Sequence, residues 1–228
     1  MPDALLFELD GVLLDTRPAQ RHALREAWAA NGITLPDADV DELLAAHPVA
    51  AAVVEGAVLA GASLDATAAS LLVLRAERAL DQRLAGGVSL FPGIARFVEA
   101  ARARARLAVV TAAPRRRAES LLALAGLADD FDFIVAAEDV LEPKPHHEGY
   151  AIALERLARR RIRIPARCIA LEGTRDGLRA ARTAGLRAVA DGAVPVHLAL
   201  EADAYLPTLE DLSVAALDAV ARIGERVE

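Results

Sequence analysis

Two carboxylates close the first apolar run of the chain. Residues 4–16 read ALLFELDGVLLDT, so Glu8 and Asp10 stand at i and i+2 and Gly11 follows at once. On a strand those two side chains share one face. At the strand's carboxyl end they enter the crevice where open α/β sheets bind ligands, and glycine at 11 lets backbone N–H groups come close to an anion. Such a constellation suits phosphoryl transfer.

Further segments add groups of the same kind. Thr111 ends the run LAVVT and precedes Ala112-Ala113-Pro114. A hydroxyl there, beside the N-terminus of a helix, can donate to a phosphate oxygen, and the freed N–H groups around Ala112 can do the same. Read alone, such a threonine is more often an ordinary helix cap. Lys144 lies in Glu142-Pro143-Lys144-Pro145. Proline on each side restricts the backbone and holds the ammonium at a loop-to-helix junction, where it could neutralise a phosphate and a carboxylate together. Read alone, it is a solvated loop lysine. The neighbouring His146-His147 has no second cluster at ligand spacing and is not read as a metal site. Glu172 ends another apolar run, CIALE, with Gly173 and Thr174 after it.

These positions need a scaffold that gathers strand ends. After residue 90, short β-rich runs alternate with helical patterns. Strands are expected at 107–111, 133–136, 168–172 and 187–191, with 204–206 as the weakest, and helices at 93–103, 115–125, 146–159, 174–184 and 209–223. The alternation predicts an α/β fold with a doubly wound parallel sheet. Residues 17–88 break the rhythm with helices only, at 17–31, 39–60 and 65–84, punctuated by Asn31-Gly32, Pro36 and Gly61. This all-helical block reads as an inserted cap, which divides the chain into a core of 1–16 and 89–228 and a cap of 17–88.

Composition removes other classes. A chain of 228 residues can bury a sizeable core. Its formal net charge of −7 offers no broad attraction for nucleic acid, and the arginines at 102–106 and 115–117 read as solvated faces. The single Cys168 lies in an apolar run, reads as a buried strand residue and excludes an intramolecular disulfide. No run is long and apolar enough to span a bilayer, and the first residues lack a signal-peptide pattern. The expectation is a cytoplasmic protein that engages neither nucleic acid nor membrane.

Together the motifs resemble the haloacid dehalogenase superfamily, in its helical-cap branch of β-phosphoglucomutase and phosphoglycolate phosphatase type. LLFELDGVLLDT is similar to the first motif, hydrophobic-Asp-x-Asp-Gly-(Thr/Val)-Leu. Thr111 matches the second, and Lys144-Pro145 followed by Glu148 and Tyr150 matches the third. IALEGTRDGLRAARTAGL at 169–186 is similar to the fourth, with Glu172, Thr174, Gly177, Ala180, Ala181, Ala184 and Gly185 in place. The resemblance implies a Rossmann-like core, a small phosphorylated metabolite as substrate and Mg²⁺ as cofactor. It implies catalytic roles for Glu8, Asp10, Thr111 and Lys144, phosphate binding by Gly11, Thr111, Ala112 and Lys144, and metal binding by Glu8, Asp10 and Glu172.

The departures from that pattern bear on activity. Relatives carry a nucleophilic aspartate where Glu8 stands; the extra methylene moves the carboxylate, and a misplacement of about 1 Å can cost on the order of 100-fold in rate. Relatives carry a Mg²⁺-binding aspartate where Gly173 stands. Asp176 falls one residue short of the aspartate that some carry at the position of Gly177, and because a helix turns about 100° per residue it is expected to point elsewhere. At the cap entry Arg17-Pro18-Ala19-Gln20 replaces the common Glu-Pro-Leu-His, so Gln20, which is no general base, takes the place of a histidine. His22 reads as an ordinary, partly buried histidine, and Arg75 and Arg78 as solvated, although they could reach a substrate's distal anion. The expectation is a phosphatase-type hydrolase with weakened or altered catalysis and weakened Mg²⁺ binding. The alternatives are an inactive relative that binds a phosphorylated ligand or a protein and, last, a metal-independent dehalogenase, a class that also needs aspartate at 8 and lacks Asp10.

Overall fold

The computed structural model describes residues 2–162, 164–192, 194–208, 210 and 212–222. Six strands, β1 (Ala4–Phe7), β2 (Arg106–Val110), β3 (Phe133–Val135), β4 (Cys168–Glu172), β5 (Arg187–Asp191) and β6 (Ala204–Leu206), form one parallel sheet in the order β3-β2-β1-β4-β5-β6. β1 lies between β2 and β4, with Phe7 level with Val109 on one side and Leu171 on the other. The sheet is built outward in both directions from β1, which creates the switch point at which strand ends open a crevice. Every residue of β1 and β4 is buried, as strands covered on both faces must be, and their apolar runs, Ala4–Phe7 and 168–171, follow from that.

Helices cover both faces. Between β1 and β2 the chain forms α1 (Arg17–Ala29), α2 (Asp37–Ala46), α3 (Val49–Leu59), α4 (Ala66–Leu84) and α5 (Ile94–Arg102). Later come α6 (Arg115–Leu124), α7 (Glu148–Ala158), α8 (Arg175–Thr183) and α9 (Val214–Ala221). Strand alternation assigns Leu5 and Phe7 to the layer holding Phe97, Leu121 and Leu217. It assigns Ala4 and Leu6 to the layer holding Tyr150, Ala153 and Leu178. Leu209 and Ile223, the expected limits of the last helix, lie outside the described residues.

The inserted helices α1–α4 pack on one another around Trp28, whose Nε1 donates to the Val53 carbonyl at 2.8 Å. One expectation is corrected here. The apolar pattern over 39–60 forms two helices, because Pro48 interrupts it and His47 is extended, at φ −133° and ψ 151°. The residue before a proline is pushed out of the helical region. The break directs His47 back toward the core rather than along a helix face.

Gly56 on α3 shows how tight that packing is. A Cβ there would lie 2.3 Å from Trp28 Cζ2 and 3.0 Å from Leu43 Cδ1. Alanine gains roughly 1 kcal/mol of helix propensity over glycine, whereas overpacking costs about 1–3 kcal/mol. Gly56→Ala is expected to lower Tm when unfolding is followed by circular dichroism. An unchanged or raised Tm would show that α3 does not meet Trp28 at this distance.

Candidate active site

The turn after β1 sets the geometry. Gly11 adopts φ +79°, in the left-handed region that favours glycine. Its N–H donates to the Leu14 carbonyl at 2.9 Å, while the N–H groups of Leu13 and Leu14 return to the Leu9 carbonyl. The amide of Gly11 is therefore directed inward, and the residue's contribution is the turn. That turn leaves Glu8 and Asp10 at the mouth of the crevice, where both line a narrow cavity of about 40 Å³.

Glu8 is fully engaged. Its Oε1 accepts from the Leu9 N–H at 2.8 Å and its Oε2 from Lys144 Nζ at 2.6 Å. Lys144 Nζ also donates to Glu172 Oε1 at 2.6 Å and to the Val110 carbonyl at 2.9 Å, so one ammonium joins the ends of β1, β2 and β4. Tyr150 OH donates to the same Glu172 oxygen. Lys144 is not a solvated loop lysine: the side chains of Glu8, Lys144 and Glu172 are 6%, 7% and 0% exposed. The lysine's loop is pinned by Glu148, whose Oε2 accepts from the N–H groups of Leu141 and Glu142 at 2.9 and 2.7 Å.

Thr111 lies one residue beyond β2, buried, with its N–H on the Val135 carbonyl at 2.9 Å. Its Oγ1 accepts from the Ala113 N–H at 3.1 Å, which leaves the hydroxyl proton to donate elsewhere; Ala112 and Ala113 line the cavity. Asp10 Oδ1 is buried without a hydrogen-bond partner among the described residues, and burial together with the Glu8 charge raises its carboxyl to about 6. Burial raises Glu172 to about 7 against the pull of Lys144. Burial works against the charge of Lys144, yet Glu172 and Glu8 hold its pKa above the ordinary lysine value.

The helices above the crevice reach across it. His47 Nδ1 lies 2.6 Å from Asp176 Oδ2, so Asp176 is directed at α1–α4 and away from Glu8. Arg117 on α6 is buried and bonds Glu77 at 2.5 Å and Asp81 at 2.6 Å, both on α4. This corrects the reading of 115–117 as wholly solvated, which holds for Arg116 alone; Arg115 pairs with Asp139. Arg17 Nη2 donates to the Gly173 carbonyl at 3.3 Å. Arg17, His47 and Arg117 were given no role by sequence reasoning. The only signals were the charge reversal at the cap entry and the proline after His47. Arg75 and Arg78 are exposed, His22 pairs with Glu26, and Cys168 is buried with its thiol pushed up to about 12 by burial.

A divalent cation entering this crevice would have Glu8, Asp10 and Glu172 as its carboxylates. They do not fit one as they stand. Both oxygens of Glu8 are taken, and Glu172 Oε1 is held by Lys144 and Tyr150. Glu172 Oε2 is packed against Gly177, where an added Cβ would lie 2.0 Å away. Among the described residues no group of three or more His, Cys, Asp or Glu could hold a metal ion. Mg²⁺ demands near-octahedral oxygens at about 2.0–2.1 Å, and a glycine at 173 supplies none from a side chain.

The buried carboxyl of Glu172 gives a pH signature. Its pKa rises from 4.5 to about 7 on folding, so the folded chain keeps a proton that the unfolded chain has released. That contribution to stability is complete below about 4.5 and is lost as pH rises through about 7. Urea midpoints are expected to fall across that interval. Glu172→Gln should flatten the decline, leaving the smaller share that Asp10 carries in the same direction. A midpoint that rises over the interval in the native chain would contradict the assignment.

Residues 2–185 match the family of haloacid dehalogenase-like hydrolases. The chain is 33% identical over 201 residues to Protein CbbY of Rhodobacter capsulatus, spanning 82% of this chain and 83% of that protein. It is 32% identical over 190 residues to fructose-1-phosphate phosphatase YqaB of Escherichia coli, spanning 81% and 94%. The crystal structure of CbbY from Rhodobacter sphaeroides in complex with phosphate superposes with a TM-score of 0.76 at 29% identity, over 96% of this chain and 100% of that one. Matches of this length, on a parallel sheet with helices inserted behind its first strand, show that the chain belongs to the haloacid dehalogenase-like hydrolases with a helical cap.

Proposed function

We propose that this protein hydrolyses phosphate monoesters of small metabolites, sugar phosphates among them, through a covalent carboxyl phosphate on Glu8. The observation that carries the reading is the buried bridge Glu8–Lys144–Glu172 beside Asp10 at the strand ends. The E. coli relative, named for fructose 1-phosphate, supports the substrate class. Nothing observed favours an inactive binding protein over this reading.

In this reading a Glu8 oxygen attacks phosphorus and the ester P–O bond breaks. Asp10, whose raised pKa keeps part of it protonated near neutrality, gives its proton to the departing alkoxide. The resulting Asp10 carboxylate then takes a proton from water. That water's oxygen attacks the phosphorus of the acyl phosphate, releasing inorganic phosphate and the Glu8 carboxylate. Lys144 keeps Glu8 aimed, while the Thr111 hydroxyl and the amide near Ala112 hold the phosphoryl oxygens. Phosphatases of this family generally use Mg²⁺. The carboxylates here do not fit that ion, and no step of this reading passes through it.

Two features slow the reaction. Glu8 is longer than the family's nucleophile and is held at both oxygens. The cavity, at about 40 Å³, has room for a few water molecules and none for a sugar phosphate. Residues 17–88 must therefore lift as a cap from a core of 1–16 and 89–228, parting His47 from Asp176 and Arg117 from Glu77 and Asp81. No helix among the described residues is long and apolar enough to cross a membrane. We place the activity in the cytoplasm, on diffusible substrates.

Phosphate release from a panel of sugar phosphates tests the reading. Glu8→Gln and Asp10→Asn should each lower kcat/KM by about 100-fold or more, and Glu8→Asp, which restores the shorter reach, should raise kcat by about tenfold or more. Turnover that survives Glu8→Gln would remove Glu8 as the nucleophile.

A further inference from the structure

Arg17 stands where the site has lost a carboxylate. It is the first residue of α1, and its side chain returns over the turn that follows β1. Nη2 is 3.3 Å from the Gly173 carbonyl and 3.5 Å from the point where a Cβ on Gly11 would lie. The guanidinium thus sits over the junction of two loops, one carrying Glu8 and Asp10 and the other following Glu172. Both residues beneath it are glycines. Gly11 needs its positive φ, but Gly173 has none, so conformation does not demand glycine at 173. A Cβ on Gly173 would lie 3.4 Å from the Asp10 and Gly11 backbone, a close approach that a side chain can tolerate.

The charges follow the same logic. Relative to the family pattern, one carboxylate is removed at 173 and, at 17, a second is replaced by a cation. Arg17 faces Asp191, Asp41 and Asp10, and it lines the cavity together with Glu8. A guanidinium carries five N–H donors. Arg17 makes one hydrogen bond among the described residues, which leaves donors for a ligand in the cavity. Its planar fork matches two phosphate oxygens at once, and its charge is permanent near neutrality.

We infer that Arg17 is the resident cation of the phosphate site, holding the phosphoryl group in place of a divalent metal, so that phosphate binds this cleft without Mg²⁺. The inference rests on the phosphatase reading for its substrate but concerns binding, and the two fail separately. Arg17 holds phosphoryl oxygens from beside the Gly173 carbonyl, while Gly173 keeps that space clear of a competing carboxylate. No electron or proton transfer is assigned to it.

Calorimetric titration with inorganic phosphate in the presence of a chelator tests this directly. The native protein should bind phosphate, Arg17→Ala should weaken binding about tenfold or more, Arg17→Lys should recover part of the loss, and added Mg²⁺ should change nothing in the native protein. A second pair of variants uses Mg²⁺ alone as the probe. Gly173→Asp should not gain Mg²⁺ affinity, because the new carboxylate pairs with Arg17, whereas Arg17→Ala with Gly173→Asp should gain it. Phosphate binding that requires Mg²⁺, or that ignores Arg17→Ala in a folded variant, overturns the inference, as does Mg²⁺ binding by Gly173→Asp alone. Metal-dependent turnover would also overturn it while leaving the phosphatase reading intact. Arg17-dependent phosphate binding without any turnover would do the reverse.

Discussion

The ammonium of Lys144 is the point on which this site depends. It lies 2.6 Å from carboxylates at the ends of β1 and β4 and 2.9 Å from a carbonyl at the end of β2, with its side chain almost wholly excluded from water. Two buried carboxylates in contact with one cation are stable only as a set. Removing the lysine would leave both uncompensated, a change that costs about 3–5 kcal/mol in buried pairs. The same bridge determines what the carboxylates can do: it aims Glu8 and engages oxygens that a metal would need, while burial, against the pull of Lys144, leaves Glu172 partly protonated near neutrality.

From that bridge outward the structure is a set of supports. Glu148 pins the loop that carries Lys144, Tyr150 shares the Glu172 oxygen, and Gly11 turns the chain so that Glu8 and Asp10 reach the crevice. Above them, cross-cleft contacts, among them His47–Asp176 and Arg117 with Glu77 and Asp81, hold the inserted helices down over a small cavity. Burial of this kind strengthens each charge interaction inside the site, because the side chains are screened little by solvent. In the proposed reading the site opens for substrate and closes for chemistry, a cycle that would break and remake His47–Asp176 and Arg117–Glu77.

Much of this was legible in the sequence because the strands are short apolar runs that end in polar groups. All six strands fall where those runs fall, to within a residue or so, and Glu8, Lys144 and Glu172, which the chain spreads far apart, meet in space. What escaped has a common physical cause. The break at His47-Pro48 was hidden by apolar periodicity that continues on both sides of the proline. The burial of Arg117 depends on Glu77 and Asp81, which a scan of local charge density does not join to it. Arg17 was visible as a departure from the family pattern, but its meaning depends on the carbonyl of Gly173, and backbone contacts across the fold have no local signature. The inward direction of the Gly11 amide likewise comes from the bond to Leu14, a feature of the closed turn and not of the motif.

The central claim is that Glu8 accepts the phosphoryl group within a site whose cations are side chains. Rapid quenching into acid during turnover of a sugar phosphate by the native protein, in the presence of a chelator, followed by peptide mass mapping, reads this directly, since the quench halts the hydrolysis that clears the intermediate. The account predicts a phosphoryl adduct on the peptide containing Glu8, formed without added metal. An adduct located on another residue, or one that forms only after Mg²⁺ is restored, would contradict it.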